Sequence, residues 1–281
     1  MKSLLFFLIL CFSVVGFAEF SESRTHSHFR YQGPILPDEY SNNTEGFELG
    51  LYIGKGTWEA GKEHLKMFFK EHNFSYRSFT AKEIAQGDLS RSGVRLIIIP
   101  GGESWEYLKE LSIEGASQIT DFVNQGGGYF GVCAGAFYAT SHREGGYATG
   151  PYGIGLLNGI AYDGTALKTE PFKEGMLDFE LSSHFLLKGL QSMFRMVLLG
   201  GPSFRYTPEE AIKKQLAVLA TFQKINEPAM VVFNYGKGKV FLSGPHLEIE
   251  EDRTDWGPEF RDPDSEWPMM ERIIHYIIRP E

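Results

Sequence analysis

From Phe47 onward the apolar positions switch repeatedly between the period of strands and the period of helices. Phe47 to Ile53 reads as a strand, and Trp58 to His72 as a helix with Leu65, Phe68 and Phe69 on one face. Phe74 to Phe79 is the next strand, followed by a short helical stretch from Ala81 to Ala85. Val94-Arg95-Leu96-Ile97-Ile98-Ile99 is almost wholly apolar and β-branched, as expected of a central parallel strand covered on both faces. It ends at Pro100-Gly101-Gly102, after which Glu103 to Leu111 and Ile113 to Gln125 read as helices. The glycines at 126 to 128 stop the second helix. Gly128 to Val132 is a further strand, with a helix from Ala134 that runs to His142 and Arg143. Such alternation implies βαβ units: an α/β protein with a parallel sheet and helices on both faces.

The second half is less regular. Gly145 to Gly164 suggests loops and short strands, while Met196 to Leu199, Leu216 to Phe222, Ala229 to Asn234 and Lys239 to Ser243 read as strands. Tyr235-Gly236-Lys237-Gly238 suits a hairpin turn between the last two, and Trp267 to Ile278 forms a closing amphipathic helix. No internal repeat or linker divides this region, so residues 46–281 are read as one domain. Before it, residues 19–45 form a polar arm without a sustained period; its His26 and His28 are read as solvated rather than metal-binding. Asn42-Asn43-Thr44 and Asn73-Phe74-Ser75 match glycosylation acceptors.

Residues 1–18 carry Lys2, an apolar run of fourteen residues from Leu4 to Phe17, and Gly16-Phe17-Ala18 before Glu19. This is the pattern of a secretory signal peptide cleaved after Ala18. The run is short of the roughly 17–25 residues that span a bilayer, so the mature chain is expected to be exported, periplasmic or extracellular, with no membrane span. Composition adds one exclusion. The 281 residues carry 36 acidic and 27 basic side chains, a net charge of -9, without any dense Lys/Arg tract, and nucleic acid is not an expected partner.

Signal cleavage would remove Cys11 and leave Cys133 as the single thiol, without a disulfide partner. Cys133 lies in Gly131-Val132-Cys133-Ala134-Gly135, between a strand and a helix, in the layout of a nucleophile elbow. The thiol then stands at the carboxyl end of the sheet, where α/β folds bind ligands, and near a helix N-terminus, whose partial charge favours thiolate. Gly244-Pro245-His246-Leu247-Glu248 follows another strand, so His246 can serve the thiol as base while Glu248 orients the imidazole. Pro100-Gly101-Gly102-Glu103-Ser104 ends a buried strand on two glycines, whose N–H groups suit an oxyanion hole together with that of Ala134.

These motifs resemble the class I glutamine amidotransferase-like superfamily, through PGGES at 100–104, GVCAGA at 131–136 and GPHLE at 244–248. Within it, GGGYFGVCAGAFYA at 126–139, GGPSF at 200–204 and SGPHLE at 243–248 are most similar to the domain at the N-terminus of some biotin–protein ligases. The resemblance implies a flavodoxin-like three-layer fold with a central, mostly parallel sheet. It also implies Cys133 as nucleophile, His246 as base, Glu248 as its partner, and Gly101, Gly102 and Ala134 as oxyanion donors. No synthase domain and no glycine-arginine-rich biotin/ATP loop is visible. The expected function is therefore hydrolysis of a carbon–nitrogen bond in a small-molecule or peptide amide, with no cofactor and no metal. The rival expectation is a non-catalytic binding or redox-sensing protein that needs the thiol alone.

Glu103 is either a substrate-binding group near the thiol or a carboxylate favoured by a helix N-terminus. Phe204, with Tyr147, Tyr152 and Tyr206, is a candidate to line the pocket, and packing is the alternative for each. His184 is read as structural, and the acidic stretch from Glu248 to Asp255 as a solvated loop.

Overall fold

The computed structural model describes residues 29–41, 46–146, 148–163, 175–262 and 264–279. The signal segment 1–18, Cys11, His26, His28, the acceptor at Asn42 and Tyr147 lie outside the described residues. The opening units follow the predicted alternation: β1 (Glu39–Tyr40), β2 (Leu49–Tyr52), α1 (Glu59–Glu71), β3 (Tyr76–Phe79), α2 (Ala81–Ala85), α3 (Asp88–Arg91) and β4 (Leu96–Ile99). Next come α4 (Ser104–Glu110), α5 (Ser112–Asn124), β5 (Gly128–Val132) and α6 (Ala134–Ala139). Local chemistry explains several boundaries. Thr80 and Glu83 form a capping box that starts α2. Leu96 to Ile99 is fully buried because both faces of β4 are covered.

The later part comprises β6 (Thr140–Glu144), β7 (Gly150–Pro151), β8 (Leu157–Tyr162), β9 (Gly175–Leu181), β10 (Met193–Leu198) and β11 (Ser203–Tyr206). It closes with α7 (Pro208–Lys214), β12 (Ala217–Phe222), β13 (Pro228–Tyr235), β14 (Gly238–Ser243) and α8 (Trp267–Ile278). One correction falls here. The helix after Cys133 ends at Ala139, and His142 and Arg143 lie on β6 instead.

Among the described residues ten strands form one sheet in the order β1-β3-β2-β4-β5-β14-β13-β12-β9-β10. Strands β3, β2, β4, β5 and β14 are mutually parallel and make the flavodoxin-like centre. Antiparallel pairing then extends the sheet through β13, β12, β9 and β10, with β1 added at the opposite edge. A smaller sheet has the order β11-β8-β6-β7.

The strict alternation of strand side chains divides the core in two. Leu96, Ile98, Phe130, Val132 and Phe241 join Phe68, Phe69 of α1 and Ile273, Ile274, Ile277 of α8 on one face. Ile97, Ile99, Tyr129, Val240 and Leu242 join Tyr107 of α4, Ile119 and Phe122 of α5, and α6 on the other. The three layers are thereby filled, and the carboxyl ends of β4, β5 and β14 are left side by side. Among the described residues no helix is long and apolar enough to cross a membrane.

The described part of the arm packs on this body. Lys66 of α1 is buried and its Nζ meets Asp38 Oδ1 at 2.8 Å, Leu36 O at 3.0 Å and Glu63 Oε1 at 3.1 Å. At the other end of the chain, the stretch read as a solvated loop is fully exposed only at Asp252, Arg253 and Asp255. Glu248, Glu251 and Glu266 are all buried, and one oxygen of Glu251 and both of Glu266 lack a hydrogen-bond partner.

Burial, and then the neighbouring Asp262 and Glu250, push the Glu251 carboxyl up to about 8 from its ordinary 4.5, although a backbone hydrogen bond acts the other way. The native state thus keeps a proton that the unfolded chain releases, and this group's contribution to stability is lost as pH rises from about 4.5 to about 8. Glu251→Gln, which mimics the protonated carboxyl, is expected to stabilise the fold at pH 8.5 by about 1–3 kcal/mol and to change little at pH 5. Urea denaturation at the two pH values measures both.

Candidate functional site

Cys133 joins β5 to α6 with φ 48° and ψ -103°, a conformation rarely adopted by a residue with a side chain. Three hydrogen bonds hold the turn: Cys133 N–H donates to Ser243 O at 2.8 Å, and Cys133 O accepts from the N–H groups of Ala136 and Phe137, each at 3.0 Å. The flanking glycines are required by close approach. A Cβ on Gly131 would come within 2.8 Å of the Gly135 backbone, and one on Gly135 within 2.0 Å of Ile99 O. The side chain of Cys133 is 6% exposed, and its Sγ lies 3.8 Å from Leu199 O.

His246 follows β14, the parallel neighbour of β5, and its backbone N–H donates to Val197 O at 2.8 Å. Its imidazole is 2% exposed, and Nδ1 lies 2.8 Å from Oε1 of the fully buried Glu248. Nε2 makes no hydrogen bond of regular geometry, yet the Cys133 sulfur is close enough to act on the ring's proton affinity. Burial by itself would lower the pKa of His246. The Glu248 charge and then Cys133 outweigh it, so the net direction is upward, favouring imidazolium.

Gly101 supplies the wall opposite, since a Cβ there would stand 2.4 Å from His246 Cε1. Its carbonyl accepts from Trp58 N–H at 2.9 Å and Tyr107 Oη at 2.9 Å. Gly102, at φ 140°, pairs with Thr57 across an isolated bridge, and a Cβ would meet Gly56 O at 2.0 Å. The N–H groups of Gly102 and Ala134 take no backbone partner among the described residues.

Glu103 occupies the N-cap position of α4 and makes no capping bond there. Its Oε2 accepts from Trp105 Nε1 at 2.9 Å. Phe204 is 1% exposed and belongs to the same buried core cluster as Leu157 and Val231. Its motif matters through the glycines instead: a Cβ on Gly201 would come 1.9 Å from Gly244 O, which locks 200–204 against the segment carrying His246. Tyr152 reaches Ser104, their hydroxyls 2.8 Å apart. His184 caps a helical turn, with Nδ1 accepting from Leu186 N–H at 3.4 Å.

Three features escape sequence reasoning. Trp58 packs its indole on the His246 ring at 5.0 Å. Leu199 places a carbonyl beside the thiol. Arg143, 4% exposed, pairs with Asp163 and lies 4.0 Å over the Phe137 ring, tying β6 to the end of β8. Only the Trp58 indole carried a local signal, as a large aromatic at a helix start beside glycines.

Two outcomes test this geometry. Glu248→Gln removes the charge that contributes most to raising the His246 pKa, so its titration, followed by imidazole 15N NMR, is expected to fall. Gly101→Ala forces its Cβ against the imidazole and is expected to destabilise the fold by about 1–3 kcal/mol, read as a lower urea midpoint.

Comparison with known proteins places these observations. A solved structure described as a glutamine amidotransferase superposes with a TM-score of 0.55, at 21% identity, over 81% of this chain and 97% of that one, which shows a shared fold. An uncharacterized protein of Chlamydia muridarum is 25% identical over 215 residues, 70% of this chain and 79% of its own. The biotin–protein ligase of Schizosaccharomyces pombe is 24% identical over 204 residues, which are 66% of this chain but 29% of the ligase. Residues 49–266 match the family model described as "Biotin-protein ligase, N terminal", and the chain accordingly belongs to that family, on a glutamine amidotransferase-like fold.

Proposed function

We propose that the protein is an exported cysteine-dependent hydrolase that cleaves a carbon–nitrogen bond in a small-molecule or peptide amide. The observation that carries this reading is the buried convergence of a strained-turn cysteine with a histidine already bound to a carboxylate. Cys133 is the nucleophile, His246 the base and Glu248 the group that fixes the imidazole. Export rests on the pattern of residues 1–18, and it leaves Cys133 as the single thiol of the mature chain.

His246 takes the thiol proton at Nε2, while Nδ1 stays bonded to Glu248. The sulfur then attacks the substrate carbonyl carbon, and the oxygen of the tetrahedral intermediate turns toward the N–H groups of Gly101, Gly102 and Ala134. His246 returns its proton to the leaving nitrogen, the C–N bond breaks, and ammonia or an amine departs. Water attacks the resulting thioester with His246 as base, releasing the carboxylic acid and restoring the thiol. Glutamine is one member of this substrate class. The low exposure of Cys133 and His246 favours small or slender substrates.

Cys133→Ala is expected to lower amide turnover by at least about 10³-fold with an unchanged circular dichroism spectrum. Iodoacetamide should modify Cys133 at pH 6–7 markedly faster in the wild type than in His246→Ala. Equal rates in the two proteins, with no ammonia release from any amide, would instead support a binding or thiol-sensing protein.

A further inference from the structure

We infer that Trp58 is a positioning residue for His246 and that the N-terminal arm, by holding Trp58, takes part in the site; this rests on reading His246 as the base. The imidazole is bonded through a single atom, Nδ1, to Glu248. One such bond leaves the ring free to swing about it, so Nε2 needs a further constraint to stay aimed at the thiol. Gly101 bounds the ring at Cε1. Trp58 supplies another wall, its ring meeting the imidazole at 5.0 Å between centroids and 73° between planes. This is the T-shaped arrangement in which aromatic rings attract beyond the area they bury.

Trp58 is itself held from three directions. Its backbone N–H donates to Gly101 O at 2.9 Å, which ties it to the glycine end of β4. Its indole stacks on Trp256 at 5.7 Å and 28°. Its Nε1 donates to Phe29 O at 3.3 Å. Phe29 in turn meets Trp256 at 4.9 Å and Phe260 at 5.0 Å, both edge to face. The outcome is a continuous column from the arm, Phe29–Trp256–Trp58–His246. One helical turn further on, a Cβ at Gly61 would come 2.9 Å from Glu248 Oε1 and 3.0 Å from Trp58 Cε3, so the same start of α1 also bounds the carboxylate.

The test uses the full mature chain and two readouts. In the wild type the Nδ1–H proton bonded to Glu248 should give a downfield, exchange-protected 1H resonance. Trp58→Ala is expected to broaden or abolish it and to slow iodoacetamide modification of Cys133 at pH 6.5 by about two- to tenfold. Trp58→Phe, which keeps a ring, should restore most of both, and Phe29→Ala should give a smaller loss in the same direction. An unchanged resonance and rate in folded Trp58→Ala would overturn the proposal, as would Trp58→Phe as impaired as Trp58→Ala. Should Trp58→Ala fail to fold, Phe29→Ala carries the test, and an unaltered resonance there overturns the part assigned to the arm. Failure of the hydrolase reading is separate: it shows as equal modification rates in wild type and His246→Ala, whatever the resonance does in the Trp58 variants.

Discussion

The backbone turn at Cys133 is the constraint on which the rest of the site depends. Holding a residue with a side chain in that conformation costs of the order of 1–3 kcal/mol, and the surrounding hydrogen bonds must offset it. They come from two strand ends and a helix. Ser243 at the end of β14 accepts the Cys133 N–H, Pro100 beyond β4 accepts the Gly135 N–H at 3.2 Å, and α6 closes on Cys133 O. Gly135 can reach Pro100 because it has no side chain to strike Ile99 O. The strained turn therefore registers β4, β5 and β14 at their carboxyl ends, and these ends supply the glycines, the thiol and the imidazole.

A second constraint is electrostatic. An imidazole and a carboxylate both removed from water must find in each other most of what hydration supplied, and such pairs seldom add net stability. Here Glu248 is bonded through Oε1, while Oε2 is buried without a hydrogen-bond partner. Its backbone carbonyl is fixed by Trp267 Nε1 at 3.0 Å, so α8 holds the segment in place. A buried pair of this kind, with an imidazole driven toward its charged form beside a thiol, is what supports the proposed chemistry.

The antiparallel half of the sheet is what brings the histidine to the cysteine. The β13–β14 hairpin lays β14 beside β5, while Val197 of β10 bonds the His246 backbone and Leu199, just past β10, faces the thiol. The glycines at 201 and 244 allow these segments to cross at backbone contact. The aromatic column from Phe29 through Trp256 and Trp58 then ends on the His246 ring.

By itself the sequence determined the elements whose signals are local. The buried runs at 96–99 and 128–132, the glycine-flanked Cys133, and the helices at 81–85 and 267–278 all follow from periodicity and from glycine placement. It also placed Cys133, His246, Glu248 and the glycines 101 and 102 at strand ends, because a residue just past a buried strand has one place to go. Tertiary structure decided what depends on distant neighbours. His142 and Arg143 pair along β8 instead of extending a helix, since β8 offers hydrogen bonds that helix propensity alone cannot outweigh. Phe204 is core because β11 turns it inward, and Glu248, Glu251 and Glu266 are buried while Asp252 and Asp255 stay exposed, a division that no local pattern encodes. Trp58 meets His246 only when α1 and β14, nearly two hundred residues apart in sequence, are folded side by side. Periodicity reports which face a residue occupies; it carries no record of what the fold brings to meet it.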